Sequence, residues 1–243
     1  SGVVIDGLQL ASTSAKTRLT LDGIKFEGIS FTDVVVIGQD SSRYGLSKCT
    51  DITFDNCKFN LATSTEEYPD AIKHMGGAVS GTISEKEAVA YMSGLTVKNC
   101  KFTNVRYGVS GGKVRNTTLE NCTFTNCSSY AVRFEDVAGK LNVIGNTVNK
   151  AEGVLTINTV GNNYSTTDIQ TDVTIKDNNA VGMTCRNGYV FVTTYDNAKK
   201  SGKSTYTITG NSCTYTQSFD EPLNGFRIKN TYGPSVAEFI ENK

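Results

Sequence analysis

Three short stretches hold side chains whose types and spacing could do chemistry. Arg133 and Glu135 alternate with apolar residues, as do Arg227 and Lys229, so in an extended chain each pair points to one face. In the third, Asp70-Ala71-Ile72-Lys73-His74, the sole histidine stands beside a lysine and a carboxylate, a combination suited to acid or base work. The chain has no tryptophan, so flat faces for a sugar ring would come from Tyr107, Tyr130, Tyr189 or Tyr195. Each feature also has a plainer reading. Exposed charge pairs contribute little and are ordinary solvated surface, and a histidine in a polar loop with no orienting partner is the same. No Ser-His-Asp order, phosphate-cradling glycine loop or metal-ligand spacing accompanies them.

The elements that must position these residues come from a repeat. Leu95-Thr96-Val97-Lys98-Asn99-Cys100-Lys101-Phe102 recurs as Thr117 to Phe124 and as Ile52 to Phe59, and its frame also fits Leu19 to Phe26, Leu141 to Val148, Val173 to Ala180, Tyr206 to Cys213 and Val3 to Leu10. The frame reads apolar, Thr, apolar, polar, a corner of Asn, Asp or Gly, then Cys, Asn or aliphatic, polar, and usually an apolar or aromatic residue. Its shortest well-formed spacings are Leu95 to Thr117 and Thr117 to Leu141, so about 20–25 residues make one structural turn, the period of a solenoid. The corner column of Gly23, Asn56, Asn99, Asn121, Gly145, Asp177 and Gly210 consists of residues that tolerate unusual φ/ψ.

A second column of Gly108-Val109, Ala131-Val132, Gly153-Val154, Gly188-Tyr189 and Gly225-Phe226 follows the frame and opens a third strand in each turn. Alternation then sends Val109, Val132, Val154, Tyr189 and Phe226 inward. It sends Ser110, Arg133, Leu155, Val190 and Arg227 outward, followed by Glu135, Ile157, Val192 and Lys229. The aliphatic middle of that face would need covering by the polar connections at 158–172 and 193–205 or by a partner.

This pattern resembles the right-handed parallel β-helix proteins of the pectate-lyase-like superfamily, in which an Asn-bearing corner joins the second and third strands. The resemblance implies an all-β, right-handed, single-stranded parallel β-helix of about eight to nine rungs, with ligands along the outer face of the first strands. It does not imply a reaction, because lyases, hydrolases, esterases, tailspikes and adhesins share the fold. Arg227-Ile228-Lys229 is similar to the RIK motif of polygalacturonases, yet the NTD, paired-aspartate and GHG motifs that should accompany it are missing. A lyase would need carboxylates clustered on neighbouring rungs to hold calcium, and Asp70, Asp136 and Asp177 fall at different phases.

Composition bounds the rest. Charge is balanced at 24 basic and 24 acidic residues, which recommends neither nucleic acid nor a membrane surface as partner, and no apolar run approaches a membrane span. Seven cysteines, an odd number without ligand spacing, argue against a disulfide framework or a zinc site; Cys57, Cys100 and Cys122 share one frame position and should stack as small buried side chains. Residues 60–76 and 80–94 read as polar insertions, the second with a short outer helix after Ser84. The chain enters a repeat at once, which suggests one solenoid domain, 1–243, cut from a longer secreted or surface protein with neighbouring domains. At the other end, Ser235 to Asn242 reads as either a capping helix or, preferably, a ninth frame copy beginning at Glu238.

The expected function is therefore a non-catalytic extracellular module, adhesin-like, carbohydrate-binding or a spacer, whose partner is a polysaccharide or surface glycan. Candidate ligand contacts are Lys73, His74, Tyr107, Tyr130, Arg133, Glu135, Arg227 and Lys229. No cofactor is expected. The alternative is a polysaccharide lyase or glycoside hydrolase acting on an acidic glycan, with calcium if a lyase.

Overall fold

The computed structural model describes residues 2–10, 20–38, 48–67, 69–75, 92–157, 171–184, 189–194, 204–214, 224–227 and 235–240. These form a right-handed parallel β-helix with three faces, in which strands pair in parallel with those one turn away. One face is an eight-stranded sheet from Val4–Ile5 to Ser212–Thr214, giving eight turns among the described residues. The other two faces merge in the leanest turns, where Val109–Glu120 and Tyr130–Ile144 run through both. The outer helix expected after Ser84 lies outside the described residues except at Met92, which with Ser93 forms a short strand; of the connections expected at 158–172 and 193–205, residues 171–172, 193–194 and 204–205 are strand and the rest lies outside the described residues.

Corners hold the geometry. Asn56, Asn99, Asn121, Gly145, Asp177 and Gly210 all have φ between 52° and 67°, the left-handed region that Asn, Asp and Gly enter most readily. Gly23 also has positive φ but belongs to a different corner, in register with Asp51, Gly94, Asn116 and Gly139. Phe26 pairs with Phe54, and Phe31 with Phe59, so the copy that stacks on Ile52 to Phe59 begins at Ile24, with Gly28 as its corner. The expected copy at Leu19 is thus corrected by five residues. The copy expected at Val3 is corrected too: Val4–Ile5 pairs with Ser30–Phe31, whereas Leu8–Leu10 already lies on the face carrying Val35–Gly38. Both segments alternate apolar and polar residues around a Gly corner, so either corner satisfies the pattern.

At the other end Ser235–Ile240 is a strand, as preferred, but Ala237 pairs with Tyr206, so its frame begins one residue before Glu238.

Inside, columns of like residues stack. Phe31, Phe59, Phe102 and Phe124 lie ring on ring with centroids 4.9, 4.7 and 4.8 Å apart. Cys57, Cys100 and Cys122 are at most 1% exposed, as the shared frame position predicted. Their thiols donate to backbone carbonyls, Cys100 to Lys98 at 3.1 Å and Cys122 to Glu120 at 3.3 Å. The same column continues as Asn146, Asn178 and Asn211, buried to 1% or less. Asn178 accepts from the Asn146 backbone at 3.0 Å and donates to the Val143 carbonyl at 2.8 Å, and Asn211 repeats this on Asn178 and Ile175. A polar side chain is stable there because each amide satisfies backbone groups the corner leaves unpaired.

Hydrogen bonding with Cys122, together with burial, pushes the Cys100 thiol up to about 12, and burial pushes Cys127 to about 12. The thiolate is the nucleophile. Alkylation at pH 8 in native buffer, read by mass spectrometry, is therefore expected to leave Cys57, Cys100 and Cys122 unmodified, whereas the denatured chain reacts at all seven cysteines. Native modification at any of the three would contradict the buried column.

Candidate functional site

The face that follows the eight-stranded sheet carries the site. Val35, Ile72, Val109, Val132, Leu155, Val192 and Phe226 share one register column, and the next column is Val36, Lys73, Ser110, Arg133, Thr156, Thr193 and Arg227. Ile72, Val109 and Val132 are fully buried, so Lys73, Ser110 and Arg133 point away from the core in a straight row about 4.8 Å apart. Residues 60–76 are thus not wholly an insertion: Ile72–Met75 is a face strand, entered through Ala71-Ile72 as later turns are through Ala131-Val132.

A cleft of about 190 Å³ opens over this row, lined by Asp70, Lys73, Arg106, Ser110, Gly111, Arg133 and Glu135. Asp70, with its side chain 5% exposed, accepts from Arg106 Nε at 2.7 Å and Nη2 at 2.9 Å, and from Ser110 Oγ at 2.8 Å. Backbone bonds between adjacent turns, Arg106 N to Pro69 O and Ala71 N to Tyr107 O, bring Asp70 and Arg106 together. Lys73 pairs with Glu66 at 2.8 Å, and Arg133 pairs with Glu135. The Arg106 and Arg133 guanidinium groups lie 4.9 and 5.7 Å from the centre of the Tyr107 ring, a cation–π arrangement that fixes the arginines. Ser129 extends the wall, its hydroxyl 3.4 Å from that of Tyr107 and donating to Glu152 at 2.7 Å. The carboxylate beside Arg106 holds its pKa above the ordinary guanidinium value, so the cation is permanent. Gly111 is required in the floor, because a Cβ there would stand 2.5 Å from the Phe134 ring and 3.0 Å from the His74 carbonyl oxygen.

The family model for the right handed beta helix region matches residues 6–169. The chain belongs to the right-handed β-helix family. No curated protein matches it. Among solved structures, the crystal structure of PfbA, a surface adhesin of Streptococcus pneumoniae, is similar over 84% of this chain and 51% of that one, at 13% identity and a TM-score of 0.48. The β-helix described here thus spans about half the length of that protein.

The winding of this β-helix sorts the expected site residues. Lys73, Arg133 and Glu135 line one cleft and Tyr107 stands against it. Arg227 shares their outward column but lies three strand spacings from Arg133, about 14 Å. Lys229 and Tyr195 lie outside the described residues. Tyr130 is 4% exposed, so its ring belongs to the packed interior and offers no platform. His74 is the sharpest correction: it is no loop residue but a core side chain, fully buried and in register with Ile37 and Gly111. Alternation in a strand explains it, since the residue after outward Lys73 must turn inward.

The aliphatic outer patch is also corrected. Leu155 and Ile157 are fully buried and Val190 is 2% exposed. Tyr130 pairs with Gly153, which makes Leu155 rather than Val154 the partner of Val132, and a register irregularity between Tyr189 and Val192 shifts the next turn. A one-residue slip exchanges the faces.

Sequence reasoning missed Glu66 and Arg106. The likeness of Ala71-Ile72 to Ala131-Val132 was a signal for the strand and for Asp70 beside Tyr107, but nothing in the sequence placed Arg106 or Glu66 there. Among the described residues no group of three His, Cys, Asp or Glu side chains could hold a metal ion.

Proposed function

We propose that the cleft is a glycan-binding groove, and that the chain is an extracellular, adhesin-like module of a secreted or cell-surface protein without catalytic activity of its own. The observation that carries this reading is the pair of cations Lys73 and Arg133, fixed two strands apart on one rigid column over a cleft whose carboxylates are already engaged by cations, with Ser110 between them donating its hydroxyl to Asp70. A rigid backbone column holds the two cations at a fixed spacing, so an acidic ligand binds without reordering the strands. Asp70, held by Arg106 and Ser110, is occupied as a structural acceptor and not poised as a base. Lys73 and Arg133 have partly exposed carboxylate partners, Glu66 at 45% and Glu135 at 42%, which can swing to solvent when an acidic sugar takes their place.

The enzymatic alternative, a glycoside hydrolase or lyase acting on an acidic glycan, draws on one feature. Asp70 and Glu135 line the same cleft, and glycosidases use two carboxylates across a groove.

A panel of acidic and neutral polysaccharides, screened for binding and for released reducing ends or unsaturated products, tests both. Binding of an acidic glycan is expected without product, weakened roughly 10- to 100-fold by Arg133→Ala at an unchanged melting temperature, as for loss of a charged hydrogen bond. Product formation that disappears in Asp70→Asn or Glu135→Gln would replace the binding reading with the enzymatic one.

A further inference from the structure

Of all the titratable side chains described, His74 is the least accommodated. It is fully buried, and neither ring nitrogen has a hydrogen-bond partner. An unpaired polar group in a core is costly to keep, so a neutral imidazole here is tolerated and a charged one is not. Its position joins that intolerance to the cleft. Lys73, the preceding residue, lines the cleft from the other side of the same strand, and Gly111, opposite His74 in the next turn, forms part of its floor.

We infer that mild acid opens this cleft, because protonation of His74 drives the strand Ile72–Met75 out of the core and takes Lys73 with it. The groups around the ring leave it no alternative. The preceding turn presents Ile37 and the following turn Gly111, with the Phe134 ring over that glycine. Of the core thiols in these turns, Cys49 directs its sulfur to the Leu10 carbonyl at 3.6 Å. Asp70, Lys73, Glu66, Arg106, Arg133 and Glu135 lie on the outer side of the sheet, engaged with one another. No charge therefore bears on the ring, and burial alone pushes its pKa from 6.5 down to about 3.

The sign follows from that depression. Above pH 6.5 both closed and opened strands carry a neutral imidazole, and the closed state keeps its full stability. Below 6.5 the opened strand binds a proton from solvent that the closed one refuses, so opening gains tenfold per pH unit until about pH 3. From pH 6.5 to 5.0 the gain is roughly sixteenfold, because the opened imidazole is already half protonated at pH 6.5. Opening removes Lys73 from the row and loosens Asp70, which releases a ligand held there; this last step rests on the glycan-binding reading above.

Hydrogen exchange of the intact protein between pH 7.0 and 5.0, corrected for intrinsic rates, tests the switch without any ligand. Protection of the Ile72–Met75 amides is expected to fall roughly sixteenfold between pH 6.5 and 5.0 while Thr171–Lys176 holds, and to stay flat in both His74→Leu and His74→Phe, two variants chosen because either alone could repack poorly. Flat protection in the wild type, an equal fall in the apolar variants, or a fall of the same size in both segments overturns the inference. Binding of polygalacturonate at pH 7.0 and 5.0 is the second arm. Loss at pH 5.0 in the wild type but not in the variants supports the switch. Binding at neither pH, with the exchange result intact, leaves the switch standing and refutes the glycan reading instead.

Discussion

Asp70→Ala is expected to lower the urea midpoint and, together with it, to weaken the glycan binding proposed for the cleft. Its carboxylate joins two turns, taking both nitrogens of the Arg106 fork and the Ser110 hydroxyl within 2.9 Å. Removing it leaves the Arg106 guanidinium without its carboxylate and a 4% exposed hydroxyl without its acceptor. Breaking a buried ion pair costs about 3–5 kcal/mol. Arg106 is 32% exposed, and solvent takes over part of its charge, so roughly 2–4 kcal/mol is expected here. The double variant Asp70→Ala, Arg106→Leu removes the orphaned cation, and a denaturation cycle should show it less destabilised than the two single changes added together. A strictly additive cycle would mean that the pair contributes nothing as a pair.

Phe102→Ala is expected to be at least as damaging, although it touches no part of the cleft. The ring is fully buried between Phe59 and Phe124, stacked at 4.7 and 4.8 Å with planes inclined by 6° and 5°. Truncation opens a cavity that backbone pairing prevents from collapsing, because each strand is hydrogen-bonded to both neighbouring turns. A buried Phe→Ala change costs roughly 3–5 kcal/mol, and the loss of two ring contacts places this one in the upper half of that range. Phe102→Leu, which keeps most of the volume, should cost well under half as much. Urea denaturation of the three proteins measures the difference; equal midpoints for Phe102→Ala and wild type would sink the view that the aromatic column stabilises these turns.

The two substitutions report on different kinds of information in the chain. Phe102 was visible in the sequence as the eighth position of a repeated frame, alongside Phe59 and Phe124, and so was the thiol column of Cys57, Cys100 and Cys122. Stacking needs only that the same residue type recur at the same place in each turn. The Asp70–Arg106 bond was not visible. Its partners are 36 residues apart, and the sequence between them departs from the repeat, so no periodicity fixes how they meet.

Strand alternation correctly sent Ser110, Arg133 and Arg227 outward, since each follows a register-column residue, Val109, Val132 or Phe226, in its strand. It failed at Leu155 and Ile157, where the same rule started from the wrong Gly-apolar pair. It also failed at His74, whose strand had been taken for an insertion. The first two turns were misread for the same reason, as two Gly corners lie within five residues of each other and fit one frame equally well.

The sequence by itself determined that the chain winds as a parallel β-helix, which residues turn its main corner from Asn56 onward, and which aromatic and thiol columns fill the core, because these depend on residue type repeated at a fixed phase. Only the tertiary structure decided which side chains meet across turns: that Asp70 closes on Arg106, that Lys73 and Arg133 face one cleft, and that His74 lies beneath it. Those contacts depend on register, and register responds to the insertion of a single residue by exchanging inside for outside.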